Sequence, residues 1–234
     1  TISIIRDYMD GAIRETVRHL HKMAVFDMDN TLLIGRFIES AAKTFGFHKD
    51  LIDVITKNQD SYLITKQIAR LLKGKNIAEL LAVADSIPLV DDAANVTEIL
   101  KQRGYVVGII TDSYDCIANH IKNRIGADFV LANELEFSQS VTTGEVKIPF
   151  YFCRSDASRC NHNFCKSNAL LHATGKHGID LGSVVAVGDS ENDICMVRIA
   201  GIGVSMCATN DALRAIADYR IDERHLSQLL DFAN

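Results

Sequence analysis

Polar residues with carboxylate, hydroxyl and amide groups follow three short apolar runs of the chain. They are Asp27 and Asp29 after the first run, Thr111 and Asp112 after the second, and Asp189, Asn192 and Asp193 after the third. A single aspartate after a strand is commonly a helix N-cap or a turn residue. Three run ends carrying acids at matched positions instead indicate one shared site. Carboxylates packed together repel unless a cation neutralises them, and an all-oxygen site of this kind is typical of magnesium.

The apolar runs themselves predict the strands that position these residues. The runs are Met23–Phe26, Val106–Ile110, Val184–Val187 and Ile202–Val204. Each is too short for a helix, and near-continuous apolar runs are typical of strands buried on both faces. Amphipathic stretches such as Ala93–Arg103 alternate with them, which predicts an α/β fold with a doubly wound, Rossmann-like parallel sheet. Ligands bind at the carboxyl ends of such strands, so the polar residues are expected to converge.

Two segments depart from this alternation. Between Phe37 and Ser86 there are helical patterns and no strand-like run, which predicts a small helical cap domain at residues 34–87. The α/β core would then comprise residues 1–33 and 88–234. Between Asn133 and Lys147, two strand-like runs flank Ser138–Ser140 and predict a β-hairpin.

Composition restricts the classes of partner. Of 234 residues, 47% are hydrophobic and 24% charged, which is ordinary for a globular protein, and the net charge of −5 gives no reason to expect nucleic acid or an anionic membrane. No apolar run approaches the roughly 20 residues of a spanning helix. The first twenty residues lack the apolar stretch of a signal peptide, so we expect a cytoplasmic protein. These features predict no particular oligomeric state.

The segment Asp27-Met-Asp-Asn-Thr31 after an apolar strand resembles the signature of the haloacid dehalogenase superfamily, in its phosphatase branch. The other motifs follow in order: Thr111 at the end of a second strand, Lys166 opening a helix, and the segment from Gly188 to Asp193. Within the superfamily the chain is most similar to the phosphoserine phosphatase group, over roughly Lys22 to the C-terminus.

This resemblance implies magnesium-dependent hydrolysis of a small phosphorylated metabolite through an aspartyl-phosphate. Asp27 would attack phosphorus, and Asp29 would protonate the leaving alkoxide and later take a proton from water. Thr111 would hold phosphate oxygens. Lys166 would neutralise charge on Asp27 and the phosphoryl group; Lys147 and Lys176 are nearby in sequence, but Lys166 begins the expected helix.

The resemblance also implies the metal ligands. The Asp27 carboxylate, the Asp29 backbone carbonyl and Asp189 would hold Mg²⁺, which screens charge between an anionic nucleophile and an anionic phosphate. Asp193 would orient Lys166 and a metal-bound water, and Asn192 would contact phosphate or substrate.

Positions 36 and 112 depart from the group's pattern and leave the substrate open. Arg36 stands where the group has a glutamate that contacts the substrate ammonium, so either Glu39 takes over this role or the substrate lacks an ammonium group. Asp112 stands where the group usually has glycine. It must point away from the phosphate, or it weakens phosphate binding. Other phosphorylated acids, sugars or alcohols, transfer of the phosphoryl group to an acceptor other than water, and a non-catalytic binding protein of the same fold remain alternatives.

The segment from Pro149 to Phe164 is longer than the usual connection. It and its flank hold Cys153, Cys160, His162 and Cys165, a set that could complete a tetrahedral zinc site, although the spacing lacks a CxxC knuckle. A disulfide formed on oxidation and a loop with unpaired thiols are the alternatives. Cys195 lies in an apolar segment and is predicted to behave as a small hydrophobic residue.

Overall fold

The computed structural model describes residues 22–58 and 60–233 and is built around a seven-stranded sheet in the order β4-β3-β2-β1-β5-β6-β7. The strands are β1 (Lys22–Phe26), β2 (Tyr105–Tyr114), β3 (Phe129–Ser138), β4 (Val141–Lys147), β5 (Val184–Gly188), β6 (Ile202–Met206) and β7 (Tyr219–Ile221). All neighbouring strands are parallel except β3 and β4. The strands β2 to β4 follow one another on one side of β1, and β5 to β7 follow one another on the other side. This arrangement confirms the predicted doubly wound α/β fold.

Helices cover both faces of this sheet. They are α1 (Phe37–Phe45), α2 (His48–Lys57), α3 (Ser61–Leu71), α4 (Ile77–Ser86), α5 (Ala93–Gln102), α6 (Asp115–Ile125), α7 (Lys166–His177), α8 (Ile194–Ile199) and α9 (Asp211–Ile216). Alternate residues of β1 point into opposite apolar layers: Ala24 and Phe26 into one, Met23 and Val25 into the other. This two-sided burial explains why β1 has no polar residue after Lys22.

The four predicted apolar runs all lie in strands of the parallel sheet, and the predicted hairpin is formed by β3 and β4. Two features of the sheet were not predicted. The strand β3 begins already at Phe129, where it pairs with β2 before it turns into the hairpin. The strand β7 has only three residues and pairs with β6 at the edge of the sheet.

The segment between β1 and β2 contains α1 to α5, and four of these helices lie within the predicted cap at 34–87. This segment is tied to the β3–β4 hairpin by backbone bonds: the Gly74 N–H donates to the Thr142 carbonyl at 2.9 Å and the Ile77 N–H to the Ser140 carbonyl at 2.9 Å. The division into core and cap stays a prediction, and residues 1–21 of the predicted core lie outside the described residues. In the two described ranges, no helix is long and apolar enough to cross a membrane.

The loop between β4 and α7 folds back on itself. Cys153 forms an isolated bridge with Phe164, and the Arg154 N–H donates to the Asn163 carbonyl at 2.8 Å. The possible zinc set named from sequence is wrong in one member, because Cys153 lies outside the cluster that its neighbours form. Cys195 of α8 joins Cys160, His162 and Cys165 instead, since the loop packs against the start of α8.

Candidate active site

The candidate active site lies where β1, β2 and β5 end. Asp27 follows β1 directly, and its N–H donates to the Val187 carbonyl of β5 at 2.9 Å. Thr111 lies near the end of β2, and Asp189 follows β5. The carboxyl ends of parallel strands lie on the same side of a sheet, so these residues share one crevice. This crevice lies between β1 and β5, where the strand order reverses, which is the usual ligand-binding position in such sheets. The predicted convergence of the three acidic segments is therefore present.

Lys166 is the cation at the centre of this crevice. Its Nζ lies 2.6 Å from Asp27 Oδ1 and 2.8 Å from Asp193 Oδ1. No side chain of the three is more than 4% exposed. The two carboxylates hold the pKa of Lys166 above its usual value despite the opposing effect of burial. Lys166 is therefore a buried ammonium, positioned by the first turn of α7 and held between two acids.

Asp193 uses both of its oxygens as hydrogen-bond acceptors. Oδ1 binds Lys166, while Oδ2 accepts the N–H groups of Asp189 and Ser190 at 3.2 and 3.1 Å and the Ser190 hydroxyl at 3.1 Å. The carboxylate folds back against Gly188, where a Cβ atom would overlap Asp193 Cβ and Cγ. Neither Gly188 nor Ser190 was singled out from the sequence, because their contribution depends on this close approach.

The carboxylates of Asp27, Asp189 and Asp193 form a compact acidic cluster, with one oxygen of each lying within 4.8 Å of the others. Burial raises the pKa of Asp27 well above its usual value, although Lys166 opposes this effect. Burial and the neighbouring Asp193 also raise the pKa of Asp189. When all three acids are ionised, Lys166 leaves two negative charges without compensation. A divalent cation with oxygen ligands, as Mg²⁺ is, fits this donor set.

Asp29 lies beside this cluster in the turn Met28–Leu32. Its backbone leaves the helical region at ψ 130°, and its Oδ1 accepts the Phe37 N–H at 2.6 Å, at the start of α1. Burial raises the pKa of Asp29 to about 6, while the Phe37 hydrogen bond opposes the shift. A carboxyl group with this pKa can both donate and accept a proton near neutral pH. The carbonyl of the following residue, Asn30, accepts a hydrogen bond from Arg224 at 2.7 Å, a contact that was not predicted.

Asp112 faces the site and does not point away from it. Its charge raises the pKa values of Asp27 and Asp29, although burial is the larger cause in both. The amide of Asn192 donates to Asp112 Oδ2 at 2.7 Å, and the amide of the buried Asn133 donates to the Asp112 carbonyl at 2.6 Å. Thr111 is buried next to it. The predicted phosphate-binding residues are thus together, with an additional negative charge among them.

Arg36 lies close to the acids of the same site. Burial lowers its pKa, but Asp112, Asp29 and Glu39 together outweigh this effect and raise it. Glu39 lies further out: its Oε1 is 3.9 Å from Arg36 Nη1, and its side chain is 49% exposed. The positive charge of Arg36, rather than the negative charge of Glu39, is therefore next to Asp29 and Asp112.

A cavity with a volume of about 820 Å³ lies beside Asp112 and Lys166 and reaches α3 and the loop before α7. Asn192, Tyr62 and Phe164 also line its walls. The rings of Tyr62 and Phe164 are stacked, with centroids 5.0 Å apart. The cavity is large enough for a small metabolite, and the helical segment forms part of its wall.

Comparisons with known proteins agree with this geometry. The model of the haloacid dehalogenase-like hydrolase family matches residues 24–198. The phosphoserine phosphatase of Methanocaldococcus jannaschii is 29% identical over 215 residues, which cover 90% of this chain and 97% of that protein. The phosphoserine phosphatase of Lactococcus lactis is 27% identical over 216 residues, covering 91% and 95%.

A solved phosphoserine phosphatase structure, described as a phospho-aspartyl intermediate analogue, superimposes with a TM-score of 0.76 at 28% identity. It covers 92% of this chain and 100% of that one. The predicted resemblance to the phosphoserine phosphatase group is confirmed by these relatives. With three quarters of its length matched by the family model and its acids gathered at the ends of β1 and β5, the chain belongs to the haloacid dehalogenase-like hydrolases.

Proposed function

We propose that this protein is a magnesium-dependent phosphatase that hydrolyses a small phosphate monoester through an aspartyl-phosphate on Asp27. The observation that carries the proposal is the buried Lys166, bonded at the same time to Asp27 and Asp193, with Asp29 in the adjacent turn. A nucleophile, a proton donor and a charge-neutralising cation are thereby assembled in one crevice. The relatives named as phosphoserine phosphatases support the same reaction class.

In the first step, an Asp27 carboxylate oxygen attacks phosphorus and the bond to the ester oxygen breaks. The protonated form of Asp29, which is more populated near neutral pH because burial raises the pKa to about 6, gives its proton to the leaving alkoxide. Lys166 neutralises charge on Asp27 and on the phosphoryl oxygens as the bond forms. Asp193 acts through Lys166 as a positioning residue, because its Oδ1 accepts the Lys166 ammonium and its Oδ2 accepts the N–H groups of Asp189 and Ser190.

In the second step, the ionised Asp29 takes a proton from water, and the water oxygen attacks phosphorus to release phosphate and restore Asp27. The carboxylates of Asp27 and Asp189 and the backbone carbonyl of Asp29 would hold Mg²⁺, with Asp193 next to them. When bound, Mg²⁺ supplies the positive charge that lets an anionic carboxylate approach an anionic phosphate. Thr111 and Asn192 are proposed to bind phosphate oxygens.

Phosphoserine is the first candidate substrate, and the charges of Arg36 and Asp112 decide between it and other esters. Arg36 fits a carboxylate on the substrate, and Asp112 fits an ammonium group. Both groups occur in phosphoserine, so the arginine at position 36 does not by itself exclude an amino acid substrate. For an ester without an ammonium group, Asp112 only repels the incoming phosphate.

Phosphate release from a panel of monoesters tests this function. The panel contains O-phosphoserine, the same ester without its amino group, and phosphorylated sugars and alcohols, each measured with Mg²⁺, with chelator, and after Mg²⁺ is restored. We expect turnover that requires Mg²⁺. Asp112→Asn is expected to raise KM for phosphoserine and to lower KM for the esters without an ammonium group. If no ester in the panel and no p-nitrophenyl phosphate is hydrolysed, the proposed function is wrong.

Gly188→Ala tests how strongly catalysis depends on the position of Asp193. The added Cβ has no room beside Asp193 Cβ and Cγ, so the carboxylate that holds Lys166 must move. We expect kcat to fall by up to about 10²-fold, because small displacements of catalytic groups can slow a reaction by this factor. Gly175→Ala in α7 is the matched control, because its Cβ would meet nothing within 4 Å. Equal kcat values for the two variants would contradict the role given to Asp193.

A further inference from the structure

Three cysteines and one histidine converge beside the active site. Cys160, His162 and Cys165 come from the loop before α7, and Cys195 comes from α8. One ligand atom of each residue, three sulfurs and one imidazole nitrogen, lies within 4.8 Å of all the others. The Cys195 Sγ and the His162 Nδ1 are 3.5 Å apart. None of these four side chains has a role in the proposed phosphatase reaction.

The spacing of this cluster is compatible with a tetrahedral metal site. Zn–S bonds of about 2.3 Å and Zn–N bonds of about 2.0–2.1 Å place sulfur and nitrogen ligands about 3.6 Å apart, and sulfurs about 3.8 Å apart. A disulfide would use only two of the three thiols and would leave the third thiol and His162 without a function. We propose that Cys160, His162, Cys165 and Cys195 bind one zinc ion in a closed, structural site.

The surroundings of the cluster suit the charge of such a complex. Zinc with three thiolates and a neutral imidazole carries one negative charge, and Arg154, Arg159 and Arg198 line the same cavity as Cys160, His162 and Cys195. The Ser167 hydroxyl donates to Cys165 Sγ at 3.2 Å and lies 3.5 Å from Cys160 Sγ. Such hydrogen bonds orient thiolate ligands and are common around metal sites.

The zinc site connects the two chain segments that carry the Lys166–Asp193 pair. Cys165 directly precedes Lys166, and Cys195 follows Asp193 by two residues, so one ion would fix both segments. Phe164, beside the ligand Cys165, stacks on Tyr62 of α3. Because all four coordination positions are filled by the protein, zinc here positions the active site and does not take part in the chemistry.

Metal analysis of the purified protein tests the site. The chain is produced with zinc in the medium and purified in reducing buffer, and zinc per chain is measured by mass spectrometry. We expect about one zinc ion per chain in the wild type and a near-complete loss in Cys195→Ser. Cys153→Ser is the matched control from the same loop, because the Cys153 Sγ contacts the Pro149 carbonyl at 3.8 Å and lies outside the cluster. If Cys195→Ser does not fold, His162→Asn removes a ligand at an exposed position.

Further readouts separate this site from the acidic cluster. Replacing zinc by Co²⁺ should give the visible absorption of tetrahedral cobalt with thiolate ligands, and Asp189→Asn should leave that absorption unchanged. At saturating Mg²⁺, Cys195→Ser is expected to lower kcat by up to about 10²-fold, while Cys153→Ser keeps the wild-type value.

The same zinc content in Cys195→Ser and wild type would overturn the proposal. So would a zinc-free protein in which thiol titration finds a disulfide. Zinc content does not depend on turnover, so it tests this site even if the phosphatase proposal fails.

Discussion

The Asp27→Asn protein is expected to lose turnover almost completely while becoming more stable in the absence of metal. In the proposed mechanism no aspartyl-phosphate can form without the Asp27 carboxylate, and loss of a catalytic nucleophile costs up to about 10⁶-fold in kcat. The stability gain has a separate cause. Burial raises the pKa of Asp27 more than Lys166 lowers it, so the ionised form destabilises the folded, metal-free chain.

The pH dependence of this gain follows from the direction of the pKa shift. Because the pKa of Asp27 is raised in the folded state, the contribution of this group to the free energy of unfolding is fully present below its pKa in the unfolded chain. That contribution is lost as pH rises through its pKa in the folded chain. Asparagine cannot ionise, and Lys166 keeps its bond to Asp193 at 2.8 Å. The Tm of Asp27→Asn in chelator should therefore exceed that of the wild type at neutral pH, and the difference should shrink towards pH 4.

Turnover with Mg²⁺ and thermal unfolding in chelator measure the two effects on the same preparation. Asp189→Asn is the matched control, because it removes another carboxylate of the cluster but not the nucleophile. Its lost activity should recover in part at high Mg²⁺ concentration, whereas that of Asp27→Asn should not. Substantial magnesium-dependent phosphate release by Asp27→Asn would mean that water attacks the phosphate directly.

The strands and the acids at their ends could be predicted because both are local features. A strand buried on two faces must be apolar throughout, as Val184–Val187 is. The residue that follows such a strand lies at the carboxyl end of the sheet, where ligands bind. The strand β7 escaped prediction because Tyr219 and Arg220 are exposed and only Ile221 is buried. Its pairing depends on the neighbouring β6 rather than on its own pattern.

The features that were not predicted arise from contacts between distant segments. Cys195 joins the thiols of a loop 30 or more residues earlier because that loop folds onto α8. The apolar sequence around Cys195 does not indicate this contact. The orientation of Asp112 is set by the amides of Asn133 and Asn192, 21 and 80 positions away. The space that Asp193 needs is available because residue 188 has no Cβ. Spacing along one chain contains no direct signal for any of these contacts.

The Asp29→Asn protein is expected to lose activity in a way that depends on the leaving group. In the proposed mechanism Asp29 protonates a poor leaving group such as a serine alkoxide, and general acid catalysis is typically worth about 10² to 10⁴ in rate. The p-nitrophenolate group leaves without a proton, so kcat/KM for p-nitrophenyl phosphate should fall much less. Asparagine keeps an oxygen that can accept the Phe37 N–H, so the start of α1 is preserved. Equal losses for both substrates would assign the proton donor elsewhere.

The pH dependence of kcat/KM is a second test of Asp29 as the proton donor. The pKa of Asp29 is raised to about 6, so its protonated, donating form declines as pH rises above that value, and kcat/KM for an alkyl phosphate should decline with it. The phosphate group of the substrate also titrates near pH 6. Comparing wild type with Asp29→Asn on the same ester removes this contribution, because both enzymes bind the same substrate form. The ratio of the two kcat/KM values should be largest below pH 6 and decrease towards alkaline pH, and a ratio independent of pH would show that Asp29 is not the acid.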